Sequence, residues 1–244
     1  MPQNSLPPPL TAPEQLNATL SAQGFAVLSA ASVCALAGVA AQDLQALESS
    51  WHDLPPDQYL KDGGRYRRRR HACFEVTHGR VEQVPHRAHW QPTDYNALHG
   101  GFERWFEPVE QAVSQAPLWT GLLLALGRLF AQVKPTAQWS IEAHQFRIDT
   151  AGGVGRPTPE GAHRDGVDFV VVMLVGRQGV KGGETRVFDA HGPQGVRFEM
   201  AQPLTTLLLD DTRVIHETTP MGLDAALQAL AHTRQTLPQE LARF

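Results

Sequence analysis

This sequence has few cysteines and no large excess of positive or negative charge. The 244 residues include only two cysteines, Cys34 and Cys73, and neither lies in a Cys-x-x-Cys or other metal-ligand spacing. We therefore expect both thiols to be reduced, as in a cytoplasmic protein. With a formal net charge of −4, the chain lacks the positive field that attracts nucleic acids or anionic membranes, so neither is an expected partner.

A signal peptide or membrane span is not predicted either. The apolar run 25–41 resembles the core of a signal peptide, but no Lys or Arg precedes Lys61, so the usual basic segment is missing. Seventeen residues interrupted by Ser and Gly are also marginal for crossing a bilayer. The pattern instead favours a strand over residues 24–28, followed by an Ala-rich helix capped by Ser29 or Ser32.

The sequence changes character near residue 139. Before this point, a Pro-rich tail over residues 1–13 is followed by predicted helices at 36–47, 102–114 and 119–133. After it, Gly, Pro and Asp separate short β-branched and aromatic runs at 139–149, 167–175, 184–189, 195–200, 204–209 and 212–217. This order predicts an α+β fold in one domain over residues 1–244, with helices outside a jelly-roll-like pair of antiparallel sheets.

A basic run, Arg65-Tyr-Arg-Arg-Arg-Arg70, leads into a strand-like segment. Strand alternation places Arg68 and Arg70 on the same face as the apolar residues Ala72 and Phe74, so those two guanidinium groups are expected to point inward. An inward Arg requires an anion, which a protein carboxylate or a bound ligand can supply. A charged strand edge, an anion pocket and a nucleic-acid contact all remain possible interpretations of the run.

The tripeptide His163-Arg-Asp165 precedes a long apolar run and also begins the catalytic loop of protein kinases. That loop needs Asn five residues after the Asp, where this chain has Val170. The chain also lacks a Gly-Lys-Ser/Thr phosphate loop and a complete Gly-x-Gly-x-x-Gly dinucleotide fingerprint. Kinase and nucleotide-binding functions are therefore not predicted.

A metal site is the better interpretation of the same residues. In an extended segment, His163 and Asp165 project to the same side, since strand side chains alternate with a period of two. His216, 53 residues after His163, lies in another strand-like region and is the candidate third ligand. Two His and one carboxylate on one face are the ligands of non-haem Fe(II) oxygenases. The alternative is that both histidines are hydrogen-bonded core residues.

Several sequence blocks resemble one family in their order and spacing. The blocks are Gln145–Ile148, Pro157–Phe169, Gly182–Thr185, Asp210 and His216–Pro220, preceded by Lys61–Arg70. Together they resemble the bacterial 2-oxoglutarate/Fe(II) dioxygenases that include L-isoleucine 4-hydroxylase, other free-amino-acid hydroxylases and the biofilm-stress-motility proteins. The resemblance extends from about residue 20 to residue 235.

This resemblance implies a double-stranded β-helix (jelly-roll, cupin-like) core with helices on its outside. It implies that His163, Asp165 and His216 bind Fe(II) as the catalytic centre, with 2-oxoglutarate and O₂ as co-substrates. The implied reaction hydroxylates a small molecule, a free L-amino acid, and releases succinate and CO₂. Two alternatives from other classes are a non-catalytic metal- or amino-acid-binding regulator on the same fold and a Zn-dependent hydrolase.

Such an enzyme must also bind the remote carboxylate of 2-oxoglutarate. Arg234 is the first candidate, because a planar guanidinium grips a carboxylate through two hydrogen bonds, and Arg243 is the second. Thr185, just after the Gly182-Gly183 turn, is a further candidate for contact with this co-substrate.

Five residues are candidates for substrate binding. Arg147 is the first candidate for the substrate carboxylate, with Arg68 and Arg70 as alternatives. Gln145 shares the strand parity of Arg147 and is expected to face the same side. Glu160, in the loop before the His-x-Asp segment, is a candidate for the substrate ammonium. The particular amino acid and the oligomeric state are not specified by the sequence.

Overall fold

Most helices precede residue 134 and most strands follow it in the computed structural model, which describes residues 6–77, 79–96 and 98–224. The helices are α1 (Leu16–Gln23), α2 (Ala30–Ala37), α3 (Ala41–Ala46), α4 (Gln111–Ser114) and α5 (Pro117–Val133), with 3-10 turns at Pro13–Gln15 and Glu48–Trp51. The strands are β1 (Phe25–Leu28), β2 (Arg67–Thr77), β3 (Val81–Gln83), β4 (Gln138–Ile148), β5 (Phe169–Met173), β6 (Val180–Gly182), β7 (Thr185–Asp189), β8 (Gly195–Phe198), β9 (Thr206–Asp210), β10 (Val214–Thr218) and β11 (Met221–Leu223).

The strands form four antiparallel sheets among the described residues. Their orders are β1-β9-β5, β10-β7-β8, β11-β6 and β3-β2-β4. This mixed α/β arrangement, with most of the helices ahead of the short strands, is consistent with a jelly-roll fold of the oxygenase type.

The β1-β9-β5 sheet is buried on both faces, and the alternation of β9 shows how. Leu207 and Leu209 pack with Val187 of β7 and Phe198 of β8 in the layer between the β1-β9-β5 and β10-β7-β8 sheets. Leu208, which points the opposite way, packs against α1, α2 and α5. Full burial of a Leu side chain contributes roughly 1.5–3 kcal/mol, so this three-leucine strand is a major source of stability.

Helix α5 packs on two sheets, β1-β9-β5 and β3-β2-β4. Its Leu126, Leu129 and Phe130 belong to the cluster on the β1-β9-β5 sheet, whereas Leu123 packs against the Ala72 and Phe74 face of β2. A proline at the first position, Pro117, starts the helix, since that position needs no backbone donor. The apolar face of β2 is therefore covered by helices, and its other face points away from them.

Two predicted helices differ from the structure. Within the segment predicted as a helix over 102–114, only Gln111–Ser114 is helical. The preceding residues are extended because Arg104 exchanges two backbone hydrogen bonds with His89, of 2.9 and 3.0 Å, and the carbonyl of Glu107 accepts one from His71. The helix predicted at 36–47 is instead divided into α2 and α3, with Gly38 at the end of α2.

Other predictions are confirmed. Ser29 is the N-cap of α2 and accepts a 3.2 Å hydrogen bond from the amide of Ser32. The strand predicted at 24–28 is β1, and the six later strand predictions each match an observed strand. Residues 6–13 of the predicted tail are described, and the amide of Thr11 donates to the Val27 carbonyl of β1 at 2.8 Å. Residues 1–5 are outside the described residues.

Membrane-spanning length is not reached by any one helix among the described residues. Only the bent pair formed by residues 30–37 and 41–51 meets the length and composition requirement, and only when the two parts are counted together.

Both cysteines are free thiols, in agreement with their predicted reduced state.

Candidate active site

Main-chain pairing brings the two predicted histidine ligands together. The amide of His163 donates to the carbonyl of His216 at 3.0 Å, and the amide of His216 donates back at 2.9 Å. His216 lies in β10, opposite Val187 of β7, so the strand ladder of the β10-β7-β8 sheet fixes its position. Residues 163 and 216 therefore sit opposite each other regardless of what their side chains bind.

Asp165 completes a cluster of three potential ligands. Its two carboxylate oxygens lie 3.7 Å from His163 Nε2 and 3.8 Å from His216 Nε2, and the three donor atoms are all within 4.8 Å of one another. Bonds of about 2.1 Å to one ion would separate adjacent ligand atoms by about 3.0–3.5 Å, so a small contraction would accommodate a metal. The predicted triad is thus assembled in the structure.

The orientation of both rings suits metal binding. His163 Nδ1 lies 2.9 Å from the carbonyl of Gly161, which accepts its proton and leaves Nε2 free for the cluster. His216 is buried, and its Nδ1 has no hydrogen-bond partner in the described part of the chain. Two imidazoles and one carboxylate are the donor set of non-haem ferrous sites, so the residues present fit such an ion.

Electrostatics separate the protonation states of the two histidines. Burial disfavours the charged form of His163, but hydrogen bonding and attraction to Asp165 outweigh it and raise the pKa to about 9. Burial and repulsion from His163 lower the pKa of His216 to about 4. Although burial opposes ionisation of Asp165, both histidines and Gln91 lower its pKa. A bound cation would take the place of the proton that His163 carries in the absence of a metal.

Asp211 holds the turn that carries Asp165. Its carboxylate accepts hydrogen bonds from the amides of Asp165 at 3.1 Å, Gly166 at 2.7 Å and Val167 at 3.2 Å. Burial raises the pKa of Asp211, and the charge of Asp165 adds to that rise. No local pattern in the sequence indicates this role, because the turn and Asp211 are more than forty residues apart.

Gln91 orients the Asp165 side chain itself. It donates to Asp165 Oδ1 at 2.9 Å, and its own carbonyl oxygen accepts from Arg104 at 2.7 Å and from Asn96 at 3.2 Å. Gln91 and Arg104 are both buried, so this chain of hydrogen bonds reaches from the triad into the protein. Sequence reasoning did not identify either residue.

Glu160, the predicted contact for the substrate ammonium, lies beside the triad. Its Oε1 is 3.6 Å from His163 Nε2, and its Oε2 is buried without a hydrogen-bond partner in the described part of the chain. Thr185 is buried at the start of β7 and pairs with Thr218, two residues after His216. Since β-strand residues two apart share a face, Thr185 is on the same side of this sheet as His216. Arg234 and Arg243 lie outside the described residues.

The other four predicted substrate residues do not reach the triad. Gln145 donates to Ser50 Oγ at 2.8 Å, and Arg147 donates to the His52 carbonyl at 2.7 Å. Arg68, opposite Arg147 in the β2–β4 register, binds the Leu54 carbonyl. Arg70, opposite Gln145, pairs with Glu110 at 3.1 Å. All four lie on the sheet face that carries Ala72 and Phe74, which helices cover.

The opposite face of β2 carries the buried arginines instead. Arg67 and Arg69 are 5% and 4% exposed, and both contact the fully buried carboxylate of Asp57, at 2.7 and 3.8 Å. Arg69 stacks on Phe146, with its guanidinium carbon 4.2 Å from the ring centroid. Strand alternation correctly predicted which residues share a face. The face with Ala72 and Phe74, which also carries Arg68 and Arg70, is the one that packs on helices.

Comparison with known proteins identifies the family. Residues 48–234 match the 2OG-Fe dioxygenase family. A crystal structure of a bsmA homolog from Methylobium petroleophilum PM1 is 58% identical, with a TM-score of 0.84 over 88% of this chain and 86% of that one. No match to a curated protein is found.

Two more distant structures share the fold. IDO from Bacillus thuringiensis is 16% identical, with a TM-score of 0.70 over 88% of this chain and 90% of that one. The Fe(II)/(alpha)ketoglutarate-dependent dioxygenase TqaL is 21% identical, with a TM-score of 0.66 over 86% of this chain and 80% of that one. The chain belongs to the 2OG-Fe dioxygenase family, so it is a dioxygenase that depends on Fe(II), 2-oxoglutarate and O₂, and the hydrolase and non-catalytic alternatives are not favoured.

Proposed function

We propose that this enzyme hydroxylates a free L-amino acid at an iron centre formed by His163, Asp165 and His216, inside a double-stranded β-helix. The observation that carries the iron assignment is the convergence of the three donor atoms, two of which belong to histidines paired through their main chains. When bound, the iron supplies oxidising chemistry driven by decarboxylation of 2-oxoglutarate. The protein's part is to hold the ligands, bind both organic molecules and exclude water.

Thr185 and Arg234 are proposed to bind 2-oxoglutarate. The position of Thr185 supports its role, because it shares the sheet face of His216 and lies only two residue pairs from it. Arg234 is proposed from its sequence position and from the geometry with which guanidinium binds a carboxylate. Neither residue is needed for the iron assignment.

Three buried arginines support a negatively charged group on the substrate. Arg67 Nη2, Arg69 Nε and Arg104 Nε are buried and have no hydrogen-bond partner in the described part of the chain. Asp57 balances the charge of one guanidinium, so the group retains excess positive charge. Arg104 reaches Asp165 through Gln91, which places this charge beside the triad. An α-carboxylate is the kind of anion that such donors bind.

Glu160 supports a positive group on the same substrate. Its unpartnered Oε2 is a buried acceptor next to His163, where an ammonium group would find both a charge partner and a hydrogen-bond acceptor. An ammonium site and a carboxylate site on two sides of one metal centre match the zwitterion of a free amino acid. We therefore assign the substrate-binding role to Arg69, Arg104 and Glu160.

Succinate release tests the iron ligands. Asp165→Ala should abolish Fe(II) binding and 2-oxoglutarate decarboxylation, because a metal face with one ligand removed holds the ion weakly. Asp168→Ala is the matched control, since its carboxylate pairs with Lys134 and not with the triad. If the Asp165 variant kept wild-type succinate release, the ligand assignment would be wrong.

Substrate analogues test the amino-acid assignment separately. Each of the twenty L-amino acids is assayed for succinate release beside its amide, which lacks the carboxylate, and its N-acetyl derivative, which lacks the ammonium. The productive amino acid should outperform both analogues, and Arg104→Lys or Glu160→Gln should raise KM more than it lowers kcat. Arg147→Lys, on the other sheet face, should leave KM unchanged. Equal turnover of the amide or the N-acetyl form would exclude zwitterion recognition.

A further inference from the structure

A second group of metal-ligand side chains lies outside the triad, on the face of the β2–β4 sheet that bears Arg69. It consists of His71 in β2, Glu142 and His144 in β4, and His89 in the segment between β3 and α4, and each offers a donor atom within 4.8 Å of the others. Glu142 Oε2 is at the centre, 2.5 Å from His89 Nδ1, 3.5 Å from His71 Nε2 and 3.9 Å from His144 Nε2. We propose that His71, His89 and Glu142 bind a divalent transition-metal ion of the zinc type.

The hydrogen bonding of His71 is what points to a ligand. Its side chain is 0% exposed, its Nδ1 has no partner in the described part of the chain, and its Nε2 has only 3.5 Å contacts, to Glu142 and to Cys73 Sγ. A buried nitrogen without a hydrogen bond, as Nδ1 is here, costs about 1–3 kcal/mol. The 3.5 Å between Nε2 and Glu142 Oε2 is long for a hydrogen bond between N and O but close to the spacing of two ligands on one tetrahedral zinc ion, about 3.4 Å. A metal at Nε2 would therefore give His71 a ligand bond in place of two 3.5 Å contacts.

The protonation states also suit a metal. Burial lowers the pKa of His89 and the nearby Arg69 adds to this effect, so the ring is neutral at neutral pH. Burial opposes ionisation of Glu142, but the hydrogen bonds from His71 and His89 hold its pKa well below the usual range. Neutral imidazoles and an ionised carboxylate are the forms in which these side chains bind metals.

His144 has a different role in the site. Arg69 Nη2 lies 2.7 Å from His144 Nδ1, and since a guanidinium can only donate, this nitrogen is the acceptor and the proton is on Nε2. His144 is therefore a neighbour that stacks on His71, with ring centroids 4.5 Å apart, and it is not a ligand.

The close contacts of Arg69 are with groups other than Glu142, which leaves that carboxylate available. The Arg69 guanidinium carbon lies 3.7 Å from the Phe106 centroid, and Asp57 is 3.8 Å from Nη1. Arg87, 3.5 Å from the other carboxylate oxygen of Glu142, is 54% exposed and free to move into water. A bound ion would tie the segment that carries His89 to the β2–β4 sheet, two residues before Gln91.

Zinc binding to the metal-free protein tests this site without relying on activity. Zn²⁺ is titrated in competition with a chromophoric chelator, using wild type, an Asp165→Ala/His216→Ala variant and a His89→Asn/Glu142→Gln variant. Wild type should bind two equivalents and each double variant one. His191→Ala/Glu75→Gln is the matched control, because both side chains are exposed, and it should bind two.

Two results would overturn the proposal. One is a folded Asp165→Ala/His216→Ala protein that binds no zinc, and the other is a His89→Asn/Glu142→Gln protein that still binds two equivalents. Circular dichroism establishes that each variant is folded, and Glu142→Gln alone, which preserves side-chain size, replaces the double variant if that one unfolds. Zinc-dependent protection against thermal unfolding should persist in the Asp165→Ala/His216→Ala variant and disappear when Glu142→Gln is added to that variant.

Discussion

The turn at residues 165–167, between the His-x-Asp segment and β5, allows a quantitative test of how the site is held. Asp211 accepts three main-chain hydrogen bonds, of 2.7–3.2 Å, from the residues that position Asp165. Asp211→Ala removes both acceptor oxygens and all three hydrogen bonds at once. A hydrogen bond to a charged group contributes about 1.5–3 kcal/mol, and some of the freed amides will bind water, so we expect a loss of about 2–4 kcal/mol in unfolding free energy.

Urea denaturation of the metal-free protein measures this loss. Asp210→Ala is the matched control, because among the described residues that carboxylate accepts only from Thr212, at 3.1 Å from its amide and 2.6 Å from its hydroxyl. A loss of about 1 kcal/mol is expected there. Asp211→Asn should lose less than Asp211→Ala, since the amide oxygen can still accept while the repulsion from Asp165 disappears.

Iron affinity provides the second measurement. Loss of a residue that orients a ligand weakens metal binding by about 10–100-fold, so Asp211→Ala should fall in this range while Asp210→Ala stays near wild type. The reasoning is refuted if Asp211→Ala unfolds within about 0.5 kcal/mol of Asp210→Ala and binds iron equally well. That result would mean that the turn is held by its own backbone preferences.

Three further perturbations have defined outcomes. Gly166→Ala should destabilise more than Gly161→Ala, because both have φ near +80° but an added Cβ would lie 2.6 Å from the Tyr95 ring only at residue 166; equal urea midpoints would contradict this. Burial lowers the pKa of His99 from 6.5 to about 4, so its contribution to stability is present above pH 6.5 and is lost as pH falls toward 4. His99→Gln should therefore flatten the stability–pH curve in that window, and an unchanged slope would assign it to other groups. Leu208→Ala, at a position with 0% exposure, should cost about 2–5 kcal/mol by urea unfolding, and a loss below 1 kcal/mol would show that the core collapses around the cavity.

Two of the three triad residues have a local signal, because His163 and Asp165 are two residues apart in an extended segment and so project to the same side. His216 lies 53 residues further along the chain and was proposed from its strand-like context and from the family resemblance. The β-strands after residue 138 also have a local signal. The main error among the helices, over 102–114, arose because backbone pairing with His89 and His71 overrides the local preference of that segment.

The substrate side of the site could not be predicted in the same way. Alternation separates Arg67 and Arg69 from Arg68 and Arg70, but it does not tell which face lies against helices and which faces the metal. Gln91 and Asp211 had no detectable signal, since each meets Asp165 through a contact across many residues of chain. Such contacts depend on the assembled fold, which one sequence does not reveal.

The two main-chain hydrogen bonds between His163 and His216 do not depend on which side chains these residues carry. Because the amides and carbonyls fix these two positions, side chains there can be exchanged without removing the link between the segments. Donor sets with cysteine, glutamate or a missing ligand are therefore accessible in a protein that still folds. Single substitutions at residue 163 or 216 should therefore alter the set of potential metal ligands without breaking the main-chain pair.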